Sequence, residues 1–287
     1  MDLDRPSTVS EVIVDVDLVP HPGLVPERAV LREGGVLIDV SARSAAAGRS
    51  LREEATDPHG VVVLNAGRTP GVSNLVAAEL LANHPDADTV EIAFSFSASG
   101  MSGPAAGEFA HRHLTAARRH RTGVIPFPPP IGRRRCLEFA ESEEAWLGAL
   151  PEGRAVTTYA RFAPRVLNAA LLAVNELRLM STLPRAAFVR GPTTPPTEAT
   201  TEPVTEWVAV RRRDTLLAAT TIEGEAGYRL TAAATVVLAD ALLDENGPSA
   251  VEPGCFDPQE LFTLEQLEAD LREAGVRVVQ QPAASVR

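Results

Sequence analysis

Apolar positions in the first 97 residues come in short β-branched runs, at 12–16, 35–40, 61–64 and 89–94. Such runs, bounded by polar stretches, fit strands buried on both faces, as in a parallel sheet. Between them, residues 26–33, 42–55 and 70–84 read as helices. Strand and helix in alternation imply an open parallel sheet flanked by helices. The third helix has the clearest start. Thr69 is a good N-cap and Pro70 suits the first helical position. Val72, Val76 and Leu80 recur at i, i+4 and i+8 to give one apolar face.

From residue 95 the pattern breaks. A small, polar, glycine-rich stretch (95–103) leads into a helix at 104–118 and then a proline run at 126–130. Strand-like runs return at 136–140, 156–162, 206–210 and 216–222. A long helix at 165–183 carries Leu167, Ala170, Leu171 and Val174 on one stripe. Residues 190–203 are Thr/Pro-rich and read as a mobile loop, followed by a helix at 230–244. Near the end, Thr263 and Gln266 form a capping box, Leu264, Leu267 and Leu271 face inward, and Gly275 stops the helix before a strand at 276–279.

Composition narrows the chemistry. The 287 residues carry a formal charge of −11, and all 27 basic residues are arginine. Without lysine there is no Schiff base, lysine general base or P-loop lysine. Cys136 and Cys255 are too few for a disulfide framework or a thiolate zinc site. The acidic balance argues against nucleic acid as the main partner. No run approaches the roughly 18 apolar residues of a membrane span, and the acidic start lacks signal-peptide order. The expectation is a cytoplasmic protein away from membranes.

Four pieces of sequence carry a family resemblance. Residues 35–41 (Gly-Val-Leu-Ile-Asp-Val-Ser) resemble a "Gly-Val-x-Tyr-x-Asp" strand. Residues 65–74 (Asn-Ala-Gly-Arg-Thr-Pro-Gly-Val-Ser-Asn) resemble an "Ala-Gly-x-x-Pro-Gly-x-x-Asn" turn into a helix. Residues 99–107 form a Gly/Ser-rich loop, and residues 227–234 with the acidic 253–260 resemble the C-terminal end. In this order they resemble the saccharopine dehydrogenase-like reductases. The resemblance implies a Rossmann-like parallel sheet, a mixed α/β substrate domain, a C-terminus returning to the first domain, and hydride transfer with NAD(P). It divides the chain into a partial Rossmann-like domain (1–94), a substrate or dimerisation domain (95–235) and a returning segment (236–287).

The departure from the family matters as much. The resemblance begins near the family's fourth strand, so about the first 70 family residues have no counterpart here. No Gly-x-Gly-x-x-Gly follows a strand and opens a helix anywhere in the sequence. Gly100, Gly103 and Gly107 have the wrong spacing. A dinucleotide would then lack its close backbone approach, the helix dipole and the acidic ribose partner. The expectation is an N-terminally truncated, incomplete Rossmann-like sheet without a bound cofactor.

Candidate site residues follow from these turns. In the 65–74 turn, the helix start offers N–H groups to an anion, and Arg68 is placed to clamp it, with Asn65 and Asn74 beside it. Asp17 and His21 follow the first strand at the carboxyl end of the sheet, where a His/Asp pair would exchange protons near neutral pH. Ser99, Met101 and Ser102 lie on the glycine loop. These are assigned as catalytic (His21, Asp17, Arg68) and substrate-binding (Asn65, Asn74, Ser99, Met101, Ser102) positions. His111 and His113 are two apart and do not share a helix face, so a metal site is not expected. Cys136 follows Arg133, Arg134 and Arg135, whose charge would lower its pKa. The runs at 118–121, 133–135 and 211–213 read first as solvated faces; the alternative for the first two, close in sequence, is one basic patch for a phosphopantetheine, an acidic carrier protein or an acidic substrate.

Three classes of function remain. The favoured one is a small-molecule tailoring enzyme doing non-redox chemistry (proton transfer, cyclisation, isomerisation or elimination) in a biosynthetic pathway. The alternatives are an NADP- or NAD-dependent oxidoreductase completed by a partner chain, and a non-catalytic binding or scaffold protein. An exposed parallel-sheet edge would be covered by a homodimer or a heteromeric partner.

Overall fold

A computed structural model of the chain describes residues 12–15, 23–97, 104–140, 154–189, 204–224, 228–243 and 251–281. The first strands and helices fall where the apolar runs predict: β1 (Val12–Asp15), α1 (Val25–Glu33), β2 (Gly35–Asp39), α2 (Ala45–Glu54), β3 (Gly60–Val63) and α3 (Val72–Asn83). β1, β2 and β3 pair in parallel, Val12 opposite Val36 and Gly35 opposite Gly60. The fourth strand of this sheet comes from far down the chain. β10 (Gly254–Phe256) lies parallel to β3, Cys255 opposite Val62, so the C-terminal stretch does return to the first sheet.

β4 (Thr89–Ser97) does not join that sheet, contrary to the four-run expectation. It sits at the centre of a seven-stranded mixed sheet, parallel to β7 (Ala155–Ala163) and antiparallel to β8 (Val204–Arg212). The order is completed by β9 (Thr215–Gly224) and β11 (Arg277–Gln281) beyond β8, and by β6 (Arg133–Ala140) and β5 (Thr122–Pro126) beyond β7. The position next to β3 is taken by β10, so β4 pairs elsewhere. A continuous apolar run fixes burial on both faces, but not the sheet in which the strand is buried.

Helix α3 is packed between the two sheets. Ile38, Val61 and Val63 of the first sheet and Val90, Ile92, Val208 and Val210 of the second share one core with it. Its burial is therefore not confined to one face. Ser73, Asn74, Leu75, Ala77 and Leu81 are buried along with Val72, Val76 and Leu80. α1 and α2 cover the other face of the first sheet through Val30, Leu31, Leu37, Leu51, Val62 and Leu64. On the second sheet, α4 (Pro104–Thr115) and α5 (Arg165–Glu176) pack over Leu137, Phe139, Ala160 and Phe162. Cys136 and Trp207 face the opposite side, under Phe127 and Ile131.

Three helix predictions need correction. α3 starts at Val72, with Gly71 and not Thr69 at its N-cap, because Thr69 Oγ1 donates to Glu206 instead. The helix predicted at 165–183 ends at Glu176, where Arg178 turns left-handed (φ 59°). Its buried stripe is Asn168, Leu171 and Asn175, polar residues included: Asn168 Oδ1 accepts from Phe162 N (3.0 Å) and Asn175 Oδ1 from His120 N (2.7 Å). At the C-terminus the capping box is present, Gln266 Oε1 accepting from Thr263 N at 2.7 Å, ahead of α9 (Leu264–Glu273). The predicted loop at 190–203 lies outside the described residues.

Gly71 supplies the first prediction. It adopts φ 132°, and a Cβ there would fall 1.9 Å from the Gly67 carbonyl oxygen. Gly275 also has positive φ (86°), but its Cβ would meet nothing within 4 Å. Gly275→Ala should cost only about 1–2 kcal/mol of left-handed strain. Gly71→Ala should cost more than about 4 kcal/mol, because a backbone carbonyl cannot move aside cheaply. Urea midpoints of the two variants test the ranking.

Candidate functional site

In an open α/β sheet, ligands bind beyond the carboxyl ends of the strands. Above β2, β3 and β10 that crest is built from side chains. Asp39, at the end of β2, accepts from Ser41 N (2.8 Å) on Oδ1 and from Arg43 Nε (2.6 Å) on Oδ2. Arg43 also pairs with Glu27 of α1, and all three are at most 2% exposed. Burial pushes the Glu27 carboxyl up, as does the nearby Asp39 charge, while its backbone hydrogen bond and Arg43 hold it down. One guanidinium thus serves two buried carboxylates.

Asn65 continues the network. Its backbone is left-handed (φ 58°), which an Asn tolerates better than most residues. Its Oδ1 accepts from Arg43 N at 2.8 Å and its Nδ2 donates to Asp257 Oδ1 at 2.8 Å. Asp257, just past β10, then meets Arg52 of α2, which also pairs with Glu260. Sequence reasoning missed Glu27, Asp39, Arg43, Arg52 and Asp257 as a group. The one signal was polar residues directly after strand-like runs.

The 65–71 turn does not present the anion site expected of it. Val72 N donates to Gly67 O, Ser73 N to Arg68 O, Asn74 N to Gly71 O, and Gly67 N to Pro70 O. The loop folds back and caps its own helix, so the first amides of α3 are consumed. Arg68 is paired too. Its Nε lies 2.7 Å from Glu206 Oε1 without the N–H pointing along that line, so the contact is an ion pair and not an aligned hydrogen bond. Glu206, on β8, is fully buried and also accepts from Thr69 Oγ1. Burial raises its pKa, against the lowering effects of Arg68 and Thr69. Asn74 is fully buried at the start of α3. The structure thus brings Asn65, Arg68 and Asn74 together in one turn. Asp17, His21, Ser99, Met101 and Ser102 lie outside the described residues.

The remaining candidates separate. His113 is buried against Phe109 and Phe139, and burial lowers its pKa to about 4. His111 Nε2 lies 3.0 Å from Leu183 O and His120 Nε2 lies 2.8 Å from Leu114 O, so the three rings point to different partners. Among the described residues no group of three His, Cys, Asp or Glu side chains is arranged for a metal. The expected lowering of the Cys136 pKa is reversed. The thiol is buried, and desolvation raises it to about 12 against the pull of Arg161 and Arg134. Cys255 is likewise raised to about 12 by burial.

A dinucleotide cofactor, which the fold implies, can be tested against these turns. Pyrophosphate binding needs free amides at a glycine turn opening a helix. In the β2–α2 turn, Ser41 N goes to Asp39, Arg43 N to Asn65 and Ala47 N to Ser44 Oγ. In the β3–α3 turn the amides are spent as above. The β3–α3 turn, its amides spent, does not fit a pyrophosphate, and the β2–α2 turn has no glycine to let phosphate approach the backbone. The turn after β1 is not among the described residues.

A parallel sheet backed by helices and joined through α3 to a mixed sheet defines a Rossmann-like α/β protein. The fold is similar to that of the homospermidine synthase hss from Legionella pneumophila, solved in complex with NAD, at TM-score 0.55, covering 94% of this chain and 75% of that one. Sequence identity is 12%, so the likeness is one of fold. The Bacillus subtilis protein yvaA aligns over 95% of this chain and 81% of its own at 11% identity, but at TM-score 0.27 it carries no weight. No family model matches the sequence, and no curated protein does either. No described helix is long and apolar enough to cross a membrane.

Two predictions follow from the buried groups. Arg68→Ala leaves Glu206 buried without its counter-charge and should cost about 3–5 kcal/mol, whereas Arg68→Met with Glu206→Leu should recover most of that. In Arg68→Ala the folded protein holds a proton on Glu206 that the unfolded chain releases above about pH 4.3. The loss should therefore grow as pH rises, and urea melts at pH 5 and pH 8 measure it. His113 works in the opposite direction. Its folded pKa of about 4 lies below the unfolded value of 6.5, so stability should fall as pH drops from 6.5 toward 4. Its imidazole NMR signals should show no titration above pH 5.

Proposed function

We propose that the protein is a small-molecule enzyme on a Rossmann-like oxidoreductase scaffold that does not hold NAD(P) on its own described strand-to-helix turns. It performs non-redox chemistry of the proton-transfer type, of which cyclisation, isomerisation and elimination are forms. The observation carrying this reading is the crest above β2, β3 and β10. The amides of its β3–α3 turn are consumed internally, its β2–α2 turn has no glycine, and Asp39, Arg43, Asn65 and Asp257 close it at 3% exposure or less. In this reading, proton transfer falls to Asp17 and His21, which follow β1 in the sequence. Arg68 acts as a positioning residue. Its charge is offset by Glu206, so with Nη1 bearing no acceptor it suits a neutral carbonyl or hydroxyl better than a carboxylate.

One observation favours a second reading. The similar homospermidine synthase is an NAD complex, and the likeness covers 94% of this chain. A nicotinamide cofactor would then approach beyond the carboxyl end of β1, its adenosine half held by a partner chain. Calorimetric titration with NADH and NADPH separates the two. The isolated chain should show no dissociation constant below about 100 μM for either. Low-micromolar binding would overturn the non-redox reading.

A further inference from the structure

Charge in this acidic protein is unevenly spread. Residues 104–189 hold 12 of its 27 arginines against seven of its 38 acidic residues. The fold brings two separate arginine runs to the end of α5. Arg119 Nη2 donates to Glu176 Oε2 at 2.8 Å, and Arg135, from the neighbouring strand β6, pairs with the other oxygen of the same carboxylate. Asn175 fixes this corner, its Nδ2 donating to His120 O at 3.0 Å. The Arg118 carbonyl accepts from Met180 N at 3.3 Å, which brings the left-handed turn at Arg178 alongside. Arg118 and Arg178 are exposed and form no ion pair among the described residues.

Exposed apolar side chains occupy the same corner. Leu177 is 68% exposed and Leu179 46%. Val124, the cross-strand partner of Arg135, is 53% exposed. Three of the large apolar residues that face solvent thus lie beside the four arginines, although solvation favours neither their exposure nor their clustering.

We propose that this corner of the second sheet is a docking surface for an acidic protein, one presenting carboxylates next to apolar side chains. Arginine beside leucine is the composition of a protein interface, where the apolar contact supplies affinity and the charges supply orientation and encounter rate. Nucleic acid fits less well, since none of the large exposed apolar residues among those described is aromatic and able to stack on a base. A second copy fits less well too, since a basic corner meeting the acidic remainder of another chain is a head-to-tail contact that does not close.

The test uses a labelled amphipathic helical peptide with a leucine stripe flanked by glutamates, its glutamine counterpart, and a duplex DNA of about 20 base pairs. Fluorescence anisotropy with the full chain is read at about 50 and about 300 mM salt. The glutamate peptide should bind at low salt, weaken with salt, and outbind the glutamine peptide by about tenfold or more. Arg118→Glu with Arg178→Glu, and separately Leu177→Ser with Leu179→Ser, should each weaken it by about tenfold, while Arg212→Glu should not. Circular dichroism confirms folding, and Arg118→Gln with Arg178→Gln replaces the first pair if that does not fold. Equal binding by folded variants, no salt-dependent binding of the glutamate peptide, or tighter binding of the DNA would overturn the proposal. So would concentration-dependent self-association of the wild type that Arg118→Glu abolishes, since the occupant would then be a second copy.

Discussion

The amide of Asn65 is the point at which three strand ends are tied together. Its oxygen receives the backbone N–H that follows β2 and its nitrogen donates to the carboxylate that follows β10, while its own backbone turns the chain out of β3. It adds a side-chain tie to the three-residue strand β10, which is also held by its ladder to β3 and by Arg52. Around it, Arg43 and Arg52 are matched against Glu27, Asp39, Asp257 and Glu260. Arg43, Glu27 and Asp39 are buried so deeply that they stabilise only as a set, whereas Arg52 and Glu260 reach solvent. Removing one member leaves the others unpaired at a cost of several kcal/mol.

The second tie is between the sheets. α3 is clasped on both sides by strands, and the turn that starts it is bound to the second sheet through Arg68, Thr69 and Glu206. The same turn has two duties that compete. To cap α3 tightly, it must use the amides an anion would need; to join β8, it must use the guanidinium an anion would need. Both are settled in favour of structure. That is why a sequence resembling a ligand-binding turn folds into a self-contained one, and why Arg68 acts on a ligand only through what its pairing with Glu206 leaves over.

These ties also bear on what the scaffold can hold. Rossmann-like sheets bind dinucleotides because glycine turns leave amides free and let phosphate approach the backbone. In the β3–α3 turn the amides are spent on the protein's own carbonyls, and the β2–α2 turn carries Asp39 and Arg43 and no glycine. The fold is Rossmann-like, but fold and chemistry are separable, and the chemistry belongs to the site.

Much of the local structure was legible in the sequence. Continuous β-branched runs marked β1 to β4, and the Thr263 and Gln266 capping box with Leu264, Leu267 and Leu271 located α9. These are short-range effects, set by sterics and by burial of neighbouring side chains. The resemblance carried by residues 35–41 and 65–74 pointed to a Rossmann-like sheet rejoined by the C-terminus, and β10 supplies that strand. What the sequence did not settle was partnership across distance. Nothing local distinguishes a strand beside β3 from one beside β7, so β4 was assigned to the wrong sheet. Nothing local says that Arg68 meets Glu206, 138 residues away, or that Cys136, beside three arginines, is governed instead by burial. Charge, pKa and ligand availability depend on which groups are desolvated together, and only the tertiary structure decides that.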